Sequence, residues 1–384
     1  MKGRAWAAVV FGLLLGCAVA APCQEPRIFV GPGAWEHPSS SRTTERDLLF
    51  NDRFPRGFQS RSFYFTAYLD DGLHLEISVF HWEYGLLGGW GLQVVTAGRG
   101  DEAFVFEERI PDREISVGRE RFFVRFGANL LEGAEGRYSV SLRLEGFDCD
   151  LEFTALVPPW LPGDGYAALG REGEAYIRYG VAAPLAAVTG TLSVSGRTRS
   201  VQGWGYADRG LIAAPINRMS SPTYSFRAFG RGSPGTSGLI VSLLRYESHP
   251  HYGPTVVPVL LCIEGEQWLI AAREFSFAAG DWAEEPQLPV AYPRRLAVRA
   301  GGILPGEPGG GFVLLEGAFV GTALYHYADV FEKIPGVFRA LVDVFFDRPI
   351  IFRMLGSFEG TITFSDGSRS ELSLPGHAEY TVVE

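Results

Sequence analysis

Chemistry in this sequence concentrates at Val201-Gln202-Gly203-Trp204-Gly205-Tyr206-Ala207-Asp208-Arg209-Gly210. Strand alternation places Trp204, Tyr206 and Asp208 on one face. The interleaved glycines let a ligand or a second backbone come close. A carboxylate beside two aromatic rings is a candidate acid of raised pKa, or an anchor for the polar head of an apolar ligand. Its structural alternative is an ion pair with Arg209 or another arginine at a barrel rim. A following strand near 222–230 adds Tyr224 and Phe226. The candidate ligand-binding set is therefore Trp204, Tyr206, Asp208, Arg209, Tyr224 and Phe226, with Asp208 the candidate catalytic group. His249-Pro250-His251 offers two imidazoles in a Tyr/Ser/Pro/Gly loop without a third ligand, which reads as surface, since a metal needs three or four convergent donors. His81 and Glu83 are one strand repeat apart and read as a solvated strand end. The sequence has no nucleophile elbow, zinc-protease helix, Walker loop or dinucleotide fingerprint, so neither metal nor cofactor is expected.

Composition sets the class of scaffold that must hold these residues. The chain has 384 residues, with 48 Gly, 24 Pro, 28 Phe, 15 Tyr and 8 Trp. That mixture of turn formers and strand formers predicts an all-β protein with short connections. The net charge is −10, and Lys2 and Lys333 are the only lysines. An acidic, lysine-poor chain makes a poor footprint for nucleic acid, so that class of partner is excluded.

From residue 58 the sequence is a succession of alternating segments cut by turns. Ser62–Leu69, Asp70-Asp71-Gly72 and Leu73–Phe80 predict a hairpin. Further strands are expected near 90–97, 102–109, 120–127, 136–145 and 149–156. Val157-Pro158-Pro159-Trp160-Leu161-Pro162-Gly163 cannot continue a central strand and marks a linker. A second series runs from about 174, through a turn at Ser195-Gly196, to strands near 312–320. Two last strands, near 357–365 and 369–375, flank Ser365-Asp366-Gly367. Between the strand near 312–320 and these last two, apolar residues from 324 to 346 recur every three or four positions, which predicts a short helical segment broken at Pro335. Gly190-Thr191-Leu192-Ser193-Val194-Ser195-Gly196 resembles Gly360-Thr361-Ile362-Thr363-Phe364-Ser365-Asp366-Gly367, an echo of duplication or of shared hairpin chemistry. The expected organisation is a leader at 1–20, an extended segment at 21–57, and barrel domains at 58–165 and 166–384.

The leader has a basic start (Met1-Lys2-Gly3-Arg4), an apolar run from Ala5 to Leu15 and a small-residue cleavage site at Ala18-Val19-Ala20. Leu14-Leu15-Gly16-Cys17 also reads as a lipobox with Cys17 acylated. Both readings export the protein, to the periplasm or outer envelope. Cys149 and Cys262 sit in apolar runs and are expected to be buried free thiols.

The order Tyr176-Ile177-Arg178-Tyr179, Ala183-Pro184, Val188–Leu192, Ser195-Gly196 and Val201–Asp208 resembles a superfamily of tandem lipocalin-like proteins. Its members include AttH-like proteins, carotenoid hydratases, tocopherol cyclases and fungal survival-factor proteins. Asp329–Pro335 followed by Arg348-Pro349-Ile350-Ile351-Phe352 is nearest the survival-factor branch. The resemblance implies two antiparallel lipocalin-like barrels in tandem and a hydrophobic ligand. One branch implies a non-catalytic lipid carrier with a role in stress tolerance and contact with a membrane surface. The hydratase and cyclase branches imply an enzyme that protonates an isoprenoid double bond, with Asp208 at the matching acid position. Arg209-Gly210-Leu211 departs from the His that usually follows in the hydratase pattern, which removes a proton-relay partner. The expected function is therefore an exported carrier of a hydrophobic ligand, with an isoprenoid hydratase or cyclase using Asp208 as the alternative.

Overall fold

The alternating segments fold into strands that pair with their sequence neighbours, and each series then closes on its own first strand. The computed structural model describes residues 27–31, 35, 38, 42–51, 58–84, 87–98, 104–171, 174–214, 218, 222–232, 238–286, 290–304, 311–329 and 349–383. The first sheet has twelve strands. Its order is β4 (Phe104–Ile110), β3 (Leu87–Ala97), β2 (His74–Tyr84), β1 (Phe58–Leu69), β12 (Arg197–Ala214), β11 (Ala175–Val194), β9 (Phe147–Ala155), β8 (Arg137–Leu144), β7 (Asn129–Ala134), β6 (Phe122–Phe126) and β5 (Ile115–Val117), and β10 (Tyr166–Leu169) pairs with β11. The second sheet has nine. It runs β16 (Gln267–Ala272), β15 (Val256–Glu264), β14 (Leu239–Glu247), β13 (Thr223–Gly230), β21 (Arg369–Val383), β20 (Pro349–Phe364), β19 (Gly311–Asp329), β18 (Ala291–Leu304) and β17 (Ser276–Glu284).

Ring contacts between strands far apart in this order show that each sheet curls. Phe63 of β1 meets Phe122 of β6 at 5.2 Å between centroids, and Phe104 of β4 stacks on Phe147 of β9 at 5.5 Å. In the second sheet Phe226 of β13 meets Phe319 of β19 at 5.5 Å, and Tyr224 meets Phe277 of β17 at 5.1 Å. All-β architecture with two antiparallel, lipocalin-like barrels in tandem is therefore what the strands build, and curling removes most of the exposed edge.

The two sheets share a plan. In each, the first strand pairs with the last (β1 with β12, β13 with β21), and the last forms a hairpin with its predecessor. The sequence echo falls on this shared hairpin: Gly190 lies on β11 and Gly360 on β20. A Cβ on Gly190 would sit 2.0 Å from the Asp150 carbonyl oxygen, and on Gly360 2.5 Å from that of Glu316. Both glycines are required by the close approach of the neighbouring strand.

Four sequence expectations change. Residues 324–329 are the end of β19, not helix, and residues 330–346 lie outside the described residues. Register shifts at Gly321/Ala323 and Leu324/His326 mark bulges in this part of β19. The boundary at 165 does not separate the sheets. β10, β11 and β12 complete the first one, because β12 supplies the partner that β1 needs. The segment 157–165 is a packed crossing, in which Trp160 bridges Val181 and its ring lies 5.6 Å from that of Trp268. The N-terminal segment, where described, is not simply extended: Ile28 bridges Ala167, and Glu45–Leu48 forms a 3-10 turn whose Leu48 is buried. The leader at 1–20, with Cys17, lies outside the described residues. Cys149 and Cys262 are buried and free.

Candidate functional site

β12 decides where most of the predicted site residues go, because its two faces serve different cores. Ala207 points into the first barrel, while Tyr206 packs in the apolar seam between the barrels with Phe229 and Ile240. The register rows across β2, β1 and β12 carry the seam's polar groups: Glu76, Thr66 and Tyr206 form one row, and Ser78, Tyr64 and Asp208 the next. From the second barrel the facing rows are Arg227 beside His377, and Arg353 beside Glu379.

At one end of the seam Arg227 Nη2 donates to Asp208 Oδ2 at 2.9 Å, and its Nη1 donates to Ser225 Oγ at 3.1 Å. The guanidinium stands 5.0 Å from the Tyr64 ring and 5.1 Å from the Tyr206 ring. The Tyr206 and Tyr179 hydroxyls share a hydrogen bond of 2.5 Å. Burial pushes the Asp208 carboxyl above its ordinary value, with Arg227 pulling the other way.

The centre of the seam is a cluster that sequence reading missed. His74 Nε2 lies 2.9 Å from Glu76 Oε1, and the Tyr325 hydroxyl donates to the same oxygen. Arg353 Nε stands 3.3 Å from Glu76 Oε2 and 3.0 Å from Glu379 Oε2. His377 stacks on His74 at 4.1 Å between rings, and its Nε2 shares a 3.0 Å hydrogen bond with the Tyr64 hydroxyl. Burial works to raise Glu76, but the hydrogen bond from His74 and the charge of Arg353 outweigh it and hold the carboxyl well below its ordinary range. Burial, reinforced by His74 and the two arginines, holds His377 well below the usual imidazole value and so neutral. The anion of Glu76 then rests on the His74 N–H, the Tyr325 hydroxyl and Arg353. Burial pushes Tyr325 up, so this phenol keeps its proton. The network reaches solvent at Glu379, whose side chain is 28% exposed, and at His326, bonded to Arg353 Nη1 at 3.0 Å.

The ligating atoms of His74, Glu76 and His377 lie within 4.8 Å of one another. Their hydrogen bonds argue against a cation. Arg353 already neutralises the carboxylate, Tyr64 occupies His377 Nε2, and both Nδ1 atoms lack the acceptor that a metal-bound imidazole uses to fix its ring.

Trp204 stays on the Tyr206 face, packed against the same seam, and covers Gly238, where a Cβ would meet its ring at 2.7 Å. The other predicted residues are dispersed. Tyr224 and Phe226 face the opposite side of β13 and belong to the second barrel's core. Arg209 points into the first barrel. His81 lies 3.9 Å from Glu83 and over the Trp90 ring, and His251 pairs with Glu174 at 2.8 Å on the surface. Two hollows lie elsewhere: a cleft of about 140 Å³ beside Tyr292, Leu324 and Met354, and an open one of about 420 Å³ lined by Ser139, Asp150, Glu152 and Thr191 on the first barrel's polar exterior.

These groups give the seam a pH dependence. Burial, then Arg353, lowers His326 to about 4, and His377 is lowered in the same sense. Between that value and the unfolded value of about 6.5, the unfolded chain binds more protons, so stability rises with pH across this window and is lost on acidification. Glu76, held low, adds loss in the same direction at more acid pH; Asp208, held high, opposes it. Thermal unfolding should therefore show a midpoint that falls from pH 7 to pH 4.5, and His326→Asn should flatten the upper part of that fall. A flat profile in the parent protein would contradict the burial of neutral imidazoles.

No protein-family model and no curated protein matches the chain. Among solved structures it is similar to an AttH protein from Nitrosomonas europaea, with a TM-score of 0.55 and 13% identity, covering 88% of this chain and 96% of that one. It is also similar to CghA in complex with Sch210972 (TM-score 0.55, 12% identity, 85% of this chain, 88% of that chain) and to CghA alone (TM-score 0.54, 11% identity, with the same coverage). The likeness is one of fold and does not choose among branches of function. By strand order, closure and this likeness, the chain has the tandem lipocalin-like fold.

Proposed function

We propose that the protein is an exported acid–base catalyst acting on an apolar small molecule, an isoprenoid or similarly hydrocarbon-rich compound, at the seam between its barrels. The Glu76 cluster carries this reading. Burying two imidazoles, a carboxylate and an arginine without full hydrogen bonding costs stability, and such clusters of perturbed groups mark sites of proton transfer. Glu76, held as an anion, is placed to stabilise positive charge that develops on the substrate. Tyr325 keeps its proton and orients that carboxylate, and the Tyr64–His377 pair is the neighbouring proton carrier. Asp208, tied to Arg227, anchors the far end of the same network. The binding of Sch210972 by CghA, a protein of this fold, supports a small-molecule role. The leader places the chain in the periplasm or outer envelope, with acylation at Cys17 as the alternative to cleavage after Ala20.

A carrier of the same class of molecule is the second reading. It is favoured by Arg209, a cation set among rings inside the first barrel. Among the described residues, large apolar side chains pack against one another in the core of each barrel, which weighs against a preformed calyx of the roughly 300–1,000 Å³ that a ligand needs. The full chain, incubated with a panel of isoprenoid alkenes and alcohols in deuterated water, should place deuterium or one water on at least one of them. Native mass spectrometry of the protein from its own envelope separates the readings. A retained lipid without turnover would transfer the conclusion to the carrier, and neither ligand nor turnover would sink both.

A further inference from the structure

The first barrel contains a charge that the seam does not use. Arg209 is fully buried, with its guanidinium 4.2 Å from the Phe122 ring, 5.0 Å from Phe65, 5.3 Å from Tyr138 and 5.4 Å from Phe63. Nη1 donates to the Asp208 carbonyl oxygen at 2.9 Å, while Nε and Nη2 have no hydrogen-bond acceptor. Its counterion is Glu45, which comes from the N-terminal 3-10 turn rather than from the barrel wall. The approach is poor: Nη2 to Glu45 Oε1 is 3.8 Å, and that oxygen is itself unpaired. The other oxygen, Oε2, accepts from the Tyr138 hydroxyl at 2.5 Å. Leu48 and Leu49 follow Glu45 into the same core. A short segment of the chain thus puts a carboxylate and two apolar side chains into the barrel, as an amphipathic molecule would.

Burying a cation among rings with a loose ion pair is a poor way to stabilise a core, since well-packed apolar residues do as well or better. A carboxylate free to move could approach the two unused N–H groups at ordinary charge-assisted distance, side by side, and still take the Tyr138 proton. Glu45, tethered to its turn, does not reach them. We infer that Arg209 and Tyr138 form the seat for the carboxylate of a fatty-acid-like amphiphile, and that the segment Glu45–Leu49 is an internal plug occupying that seat until such a ligand displaces it. The site lies on the opposite face of β12 from the seam and stands apart from the chemistry proposed there.

Binding of dodecanoate and of dodecanol to the full chain, measured by calorimetry, tests the seat. Dodecanoate should bind and dodecanol should bind about tenfold more weakly, the effect of losing one or two charge-assisted hydrogen bonds. Glu45→Gln, which loosens the plug and keeps its shape, should tighten dodecanoate binding about tenfold by the same scale. Arg209→Met, which strands Glu45, runs the risk of not folding; the double variant Glu45→Gln/Arg209→Met removes both charges and should fold but bind the acid no better than the alcohol. Hydrogen exchange at residues 44–50 should accelerate on adding dodecanoate as the plug leaves. No binding of dodecanoate by either the parent or Glu45→Gln overturns the inference, as does equal affinity for acid and alcohol, or an acid preference that survives in the double variant.

Discussion

Arg227→Met, made alone, should destabilise the protein by roughly 3–5 kcal/mol, because it leaves Asp208 as an uncompensated carboxylate at a buried seam. Arg227 is the only cation hydrogen-bonded to that carboxylate by its side chain among the described residues. It also faces the Tyr64 and Tyr206 rings, and methionine keeps much of that contact while losing the charge. Asp208→Asn should cost less, since the amide oxygen still accepts from Arg227. The double variant should lose well under the sum of the two single losses, because the second substitution removes the charge that the first one stranded. Urea unfolding of the four proteins measures this. Simple additivity would mean that Asp208 and Arg227 do not act as a pair.

The second large effect concerns activity. Glu76→Gln should lower turnover of any substrate found by about 10²–10³-fold, the usual contribution of a preorganised charge-stabilising group. Arg353 keeps Glu379 as a partner in this variant, so the fold should survive. Asp208→Asn is the informative comparison. The sequence points to Asp208 as the acid, whereas the hydrogen bonds place Glu76 among His74, Tyr325 and Arg353. If Glu76→Gln leaves kcat intact and Asp208→Asn abolishes it, proton transfer belongs to the Arg227 end of the seam. A change confined to KM for Glu76→Gln would reduce it to a binding group.

Much of the fold was legible because strands announce themselves locally. Alternation, Asp-Asp-Gly at residues 70–72 and the paired echo at 190 and 360 all report on neighbours within one hairpin. The same locality explains the failure at 324–329, where an apolar spacing read across 324–346 took in the end of β19, whose pairing with β20 no local pattern shows. Tyr206 and Asp208 were legible as one face of one strand, and they do share the seam. Arg209, next in sequence, was grouped with them and yet faces the other core, as alternation itself requires. His74 and Glu76 stand in an ordinary alternating run, Arg353 in an apolar one and His377 after a Pro-Gly pair. None of these has a local spacing that marks chemistry.

By itself, then, the sequence determined the strand content, the tandem plan and the polar face of β12, because each follows from period-two patterning and turn chemistry within a few residues. Tertiary structure alone decided which charges meet. Glu76 and Tyr325 are 249 positions apart, and Tyr64 and His377 are 313 apart. They come together because each barrel closes first strand to last, which brings β1 and β2 of one sheet against β13, β19, β20 and β21 of the other. Burial at that seam, which no local pattern encodes, is what shifts their proton affinities.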